Sequence, residues 1–146
     1  MPELTSRNDL KASAASRVVM ADLIYAQNRA ISTQQNIYIA FDITNKNYSL
    51  LTQWNPQLFV THPIYKNNYV TFFSTAATNS MKDMSLVSAN FDGNAGLAFD
   101  TLGAPYSVTT AGVMAALVSQ GQIKVQAGTN VLTVTIEPYT GEINVQ

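Results

Sequence analysis

Asp9-Leu10-Lys11-Ala12-Ser13-Ala14-Ala15-Ser16-Arg17-Val18-Val19-Met20-Ala21-Asp22-Leu23-Ile24-Tyr25-Ala26-Gln27-Asn28-Arg29-Ala30-Ile31-Ser32 is an alanine-rich amphipathic run, and nothing after it returns to a comparable helix. Ala12, Ala15, Val19, Leu23, Ala26 and Ala30 recur at steps of three and four, which places them on one face of an α-helix. Their small side chains make a narrow stripe suited to close packing on a sheet, because alanine lets the backbone approach where leucine would hold it off. At 1.5 Å per residue the run makes a rod of roughly 35 Å, longer than the mean globular helix. The flanking residues extend the expected helix to about residues 4–34. Arg7, Lys11, Arg17 and Arg29, with Asp9 and Asp22, interleave with the stripe and read as a solvated face.

Beyond Asn36 the period changes to two. Ile37, Ile39 and Phe41 alternate with Tyr38 and Ala40, the pattern of a strand buried on one face. Turn-forming residues from Asp42 to Asn47 lead into a second strand, Tyr48 to Gln53, so the pair reads as a hairpin. Trp54-Asn55-Pro56 breaks the pattern and opens a loop to Asn68, with a short strand at Leu58 to Thr61. Tyr69 to Phe73, Leu86 to Ala89 and Gly96 to Phe99 read as strands, with an aperiodic polar connection from Ser74 to Asp83. The last third is the cleanest β signal. Ile123 and Val125, then Leu132, Val134 and Ile136, then Ile143 and Val145 alternate with polar residues, and Gly128-Thr129-Asn130 and Pro138-Tyr139-Thr140-Gly141 supply the turns. These segments predict a three-stranded antiparallel meander. The fold class is therefore α+β: one long N-terminal helix on an antiparallel sheet or small β-sandwich, in a single domain over residues 1–146 with its β-rich part at about 36–146.

Composition narrows the chemistry. Nearly half of the 146 residues are hydrophobic, and charges are few and nearly balanced, with a net charge of −1. Thr, Asn, Ser and Gln supply most of the polar surface, which fits a secreted or extracytoplasmic protein. There is no cysteine, which excludes disulfides, thiol catalysis and Cys-ligated zinc. No stretch reaches the roughly 20 apolar residues needed to span a bilayer.

Candidate sites are sparse. His62 is the sole histidine and precedes Pro63 in a loop, and no Gly-x-Ser-x-Gly elbow occurs, so it reads as a surface residue and no catalytic residue is assigned. Asp92-Gly93-Asn94, with Asp100 nearby, lacks the oxygen count and closing glutamate of a calcium loop and reads as a turn. No metal or cofactor is expected. Trp54, Phe59 and Tyr65, with Tyr69 beside them, fall in or next to the proline-containing loop, where aromatic side chains can contact a protein partner or a sugar.

The order of elements resembles the type IV pilin-like proteins, and local phrases narrow the resemblance to the GspH/FimT-type minor pseudopilins. Leu23-Ile24-Tyr25-Ala26-Gln27-Asn28-Arg29-Ala30-Ile31 looks like the phrase that closes the helix in that family and leads into its first strand. Phe99-Asp100-Thr101-Leu102-Gly103-Ala104-Pro105 is similar to its glycine turn before the last sheet, and Val134-Thr135-Ile136-Glu137-Pro138-Tyr139-Thr140-Gly141 to its closing strand and turn. The family's basic leader, cleavage-site phenylalanine and apolar segment with a glutamate are absent. Pro2 matches the proline that ends the apolar half of the helix in the family, so Met1 is expected to be an artificial start and the membrane-spanning half to be missing.

The resemblance implies a non-enzymatic minor pseudopilin, a subunit of a type II secretion pseudopilus, or alternatively a minor type IV pilin that primes pilus assembly or DNA uptake. Its partners would be other pilins or pseudopilins, the inner membrane through the missing helix, and a prepilin peptidase acting on the precursor, with methylation. The present residues would lie in the periplasm or outside the cell. Nucleic acid is disfavoured, because the family positions that carry DNA-binding arginines read Gly141-Glu142-Ile143-Asn144 here and the basic residues outside the helix are scattered. A secreted carbohydrate-binding β-module is the reading from a different class.

Overall fold

A computed structural model describes residues 2–73 and 84–146, with side chains from Leu10 onward. The expected connection from Ser74 to Asp83 lies outside the described residues. Helix α1 (Pro2–Thr33) stops where Gln34 takes a left-handed φ of 54° and the Gln35 N–H donates to the Ala30 carbonyl at 3.3 Å. That bond is the Schellman closure, which satisfies a carbonyl the helix leaves over. Ala12, Ala15, Val19, Leu23, Ala26 and Ala30 are fully buried and form one side of the core.

Among the described residues the strands form two antiparallel sheets. The first has the order β3 (Leu58–Phe59), β2 (Asn47–Gln53), β1 (Ile37–Asp42), β6 (Gly96–Phe99), β7 (Pro105–Val108), β8 (Met114–Ala116), with β4 (Val70–Phe72) pairing on β2. The second has the order β11 (Ile143–Val145), β10 (Asn130–Ile136), β9 (Gly121–Ala127), β5 (Ser85–Asn90). The closing meander is present, and β5 joins it as a fourth strand with a bulge between Leu86 and Ser88. Helix α1 packs against β1 and β6 of the first sheet and β9, β10 and β11 of the second. Architecture and class are thus α+β, one long helix on antiparallel sheets.

Register decides which residues face inward. Ile39 lies opposite Leu50 on one side and Leu97 on the other, and Phe41 opposite Tyr48, all of them buried. Ile123 lies opposite Val134 in the second sheet, and both are buried. Strands β7 and β8 have no counterpart in the sequence reading. Strand β7 begins at Pro105, where the missing N–H is tolerated at a strand's first residue, and β8 is only Met-Ala-Ala. Both are too short and too weakly alternating to announce themselves.

The solvated reading of the helix charges fails at Asp22, which is 8% exposed. Asp22 follows Val19 by three and precedes Ala26 by four, so it shares the buried stripe and its carboxylate is carried inward. A larger side chain on this close-packed stripe should also be felt. Ala26→Leu is expected to destabilise the fold by about 1–3 kcal/mol through overpacking, read as a lower urea midpoint with an unchanged slope.

Candidate functional site

The C-terminal part of α1 is clamped by two glycine turns. Gln27 Nε2 donates to the carbonyl of Gly103 at 2.9 Å and to that of Gly141 at 3.3 Å. Gly103 lies between β6 and β7 of the first sheet, and Gly141 between β10 and β11 of the second. One side chain therefore ties the helix to both sheets. Gly141 has φ 72°, and a Cβ there would lie 2.6 Å from Gln27 Nε2 and 2.7 Å from the Gly103 oxygen. Conformation and space both require glycine. The segments Leu23–Ile31, Phe99–Pro105 and Val134–Gly141, distant in sequence, thus meet at Gln27.

One turn further back, the Asp22 carboxylate joins α1 to the first sheet. Tyr48 Oη donates to Oδ2, Tyr69 Oη to Oδ1 at 2.5 Å, and Thr71 Oγ1 to Oδ2 at 2.8 Å. Burial, reinforced by the adjacent Asp22 charge, pushes the Tyr48 phenol well above its ordinary value. Tyr69 is pushed up as well, by burial first and then by its hydrogen bond to Asp22. Tyr25 stacks on Tyr69 with ring centroids 5.3 Å apart, and His62 lies 4.5 Å from Tyr69 on centroids. His62 Nδ1 accepts the backbone N–H groups of Ile64 and Tyr65 at 3.1 and 3.2 Å, so the imidazole pins its own loop. The arrangement is a hydrogen-bonded and stacked strut.

The acidic turn residues are engaged in the same way. Asp92 accepts the N–H groups of Val118 and Ser119 at 2.8 and 2.9 Å, which hold its carboxyl below the usual range, the Val118 bond foremost. Asp100 Oδ1 accepts Leu102 and Ala104 N–H groups, both at 2.9 Å, and Tyr106 Oη donates to Oδ2 at 3.1 Å. Among the described residues, no group of three or more His, Cys, Asp or Glu is placed to share a metal ion.

The aromatic loop residues occupy different surroundings. Trp54 lies on the outer face of the first sheet: its Nε1 donates to the Thr110 carbonyl at 3.1 Å, and its ring is 6.1 Å from Tyr38 on centroids. Gly96 and Gly112 make room for it, since a Cβ on either would come within 2.8 Å of the indole. Phe59 is half-buried opposite Leu51 in β3. Tyr65 is 74% exposed and lies against His62, with ring centroids 4.7 Å apart. Beside Trp54 opens a groove of about 770 Å³, lined in part by Asp42, Asn47, Ser49, Gln57 and Thr110. At the C-terminus, the residues following Gly141 include exposed Glu142 and Asn144, an acid and an amide.

Sequence reasoning missed Asp22 and Gln27 as the side chains that fix the helix. For Asp22 a signal existed, its phase with the alanine stripe. For Gln27 none did, because its partners are backbone carbonyls more than seventy residues away.

No protein-family model matches the chain, and no curated protein matches it. Solved structures do. The minor pseudopilin EpsH from the type 2 secretion system of Vibrio cholerae superposes with a TM-score of 0.63 at 12% identity, over 93% of this chain and 96% of that one. The type IV minor pilin FimU of Pseudomonas aeruginosa PAO1 superposes with TM-scores of 0.59 and 0.56 in two crystal forms, at 14% and 15% identity. Those alignments cover 94% and 92% of this chain and 90% and 91% of FimU. The class is the α+β pilin-like fold. More narrowly, it is the type IV pilin-like fold of a minor pseudopilin and a minor pilin.

Asp22→Ala strands three hydroxyl donors and is expected to destabilise the protein by about 3 kcal/mol or more in urea denaturation, with Asp22→Asn recovering part of the loss through its remaining carbonyl oxygen. Because the folded pKa values of Tyr48 and Tyr69 are raised, their stabilising contribution is complete below the ordinary tyrosine value of 10.0 and is lost as pH rises above it. Alkaline titration should therefore show phenolate absorbance from these two residues only as the protein unfolds. Normal ionisation in the folded state would refute their burial against Asp22.

Proposed function

We propose that the chain is a minor pseudopilin, a non-enzymatic structural subunit of a type II secretion pseudopilus that acts through contacts with other pilins or pseudopilins. The observation that carries this reading is the end-to-end likeness to EpsH, which spans more than nine-tenths of both chains. Surface geometry supports it. Leu10, Ala14, Arg17, Ala21, Ile24, Asn28 and Ile31 are exposed along α1 at alternating steps of four and three, a seam mostly apolar or small that a second helix could follow. No described helix is long and apolar enough to cross a membrane. The same reading includes anchoring in the inner membrane and processing by a prepilin peptidase, with the helix and its two sheets acting as one periplasmic unit. Contacts to neighbouring subunits would also use Trp54, Phe59 and Tyr65.

The likeness to FimU favours a second reading, a minor pilin supporting type IV pilus assembly. Deleting the gene in its host separates the two: loss of protein export with intact pili identifies the pseudopilin, and loss of pili with intact export identifies the pilin. If neither changes, both readings fail. The absence of native cysteine permits a direct test of the seam. Ile24→Cys in the full-length protein should form disulfides with cysteines placed on the helices of companion subunits, whereas Lys124→Cys, on β9, should not. Replacing Trp54, Phe59 and Tyr65 together by alanine should reduce assembly while the protein stays folded. Unchanged assembly would remove these residues from the interface.

A further inference from the structure

We propose that the groove beside Trp54 is a binding site for a neutral oligosaccharide. The inference goes beyond the assembly role and does not depend on it. Register places Ser49, Ala40, Gly96 and Val108 in one row across β2, β1, β6 and β7, on the face turned away from the core. Three of the four are among the smallest side chains, so the sheet forms a low floor. Trp54 rises at one side, with Gly96 and Gly112 leaving space for its ring. Asp42 and Asn47, opposite each other at the end of the hairpin, bound the other side. The open groove's volume of about 770 Å³ falls within the roughly 300–1,000 Å³ of small-molecule sites.

The chemistry of the lining selects the ligand. An indole offers a broad apolar surface on which the C–H face of a pyranose can lie. Gln57, Asn47, Ser49 and Thr110 offer amides and hydroxyls that both donate and accept, matching sugar hydroxyls, which also do both. Among the described residues Asp42 is the one charged lining residue, and its orientation is fixed: Oδ1 accepts the Asn45 N–H at 3.0 Å and Oδ2 accepts Asn45 Nδ2 at 2.7 Å. Each oxygen retains a lone pair for a ligand hydroxyl. Among the described residues the lining contains no lysine or arginine, so phosphates, sulfates and acidic sugars find no counter-charge there. A neutral, unbranched glycan laid along the floor satisfies the polar groups and covers the indole.

Trp54 is the sole tryptophan, so intrinsic fluorescence reports on this groove without labelling. Titration of the protein with cellohexaose, laminarihexaose and chitohexaose should give a saturable fluorescence change with at least one of them. Ser49→Tyr, which fills the floor from the face turned away from the core, should weaken that binding at least about tenfold at an unchanged urea midpoint. Trp54→Ala, followed by calorimetry, should weaken it similarly. The proposal is overturned if none of the three sugars binds at millimolar concentration, or if Ser49→Tyr binds like the parent protein. It is equally overturned if the sugars fail to bind while Ser49→Tyr abolishes subunit cross-linking, because the groove would then hold a protein segment. Loss of export or of pili in the gene deletion leaves this test untouched, since it is read on the isolated protein.

Discussion

A carboxylate buried between a helix and a sheet fixes the geometry on which everything else rests. Burying Asp22 costs several kcal/mol in desolvation, and three hydroxyl donors offset that cost only when α1 sits at one height and one rotation against β2 and β4. An alanine stripe alone would not specify this position, because small residues allow close approach at several registers. The stripe brings the helix near, and Asp22 selects where it stops. Tyr25 then stacks on Tyr69 and the tilted His62 ring packs against it, extending the constraint into the loop that follows β3.

Gln27 supplies a complementary restraint. Asp22 binds side chains of the first sheet, whereas Gln27 binds the backbones of turns in both sheets. Two adjacent turns of helix therefore hold the sheets to each other through the helix. A Cβ at Gly141 would enter the space of both the Gln27 amide and the Gly103 carbonyl, which explains why the turn between β10 and β11 carries glycine at this point. The outer face of the first sheet takes no part in holding the helix, and there Trp54 and its groove are found.

Much of the architecture was legible. The long helix, the first hairpin and the closing meander each have a strong period and clear turn residues, and all three are present. Strands β7 and β8 were not legible, because a strand of three or four residues starting at proline or built from alanine has too little pattern to read. Tertiary context also overrode a local expectation at Asp22, where charge suggested solvent and helical phase dictated burial. The floor of the Trp54 groove was invisible for another reason. Ser49, Ala40, Gly96 and Val108 form a row only through strand register, and the strand reading of Gly96 to Phe99 gave no sign that Trp54 lies against Gly96.

The straddling helix also has a temporal meaning. Its contacts in the second sheet are to β9, β10 and β11, and Gly141 is 114 residues beyond Gln27. A ribosome delivers α1 before either of its seats, and the seat on the second sheet comes last. Hairpins such as β1–β2 can close early from local contacts and offer Asp22 its partners, but the side of the helix that faces the second sheet stays uncovered until β9, β10 and β11 have emerged. The interval between the first and last elements is therefore a period of exposure. A chain held at a surface by its leading end would spend that interval as a helix awaiting its sheets.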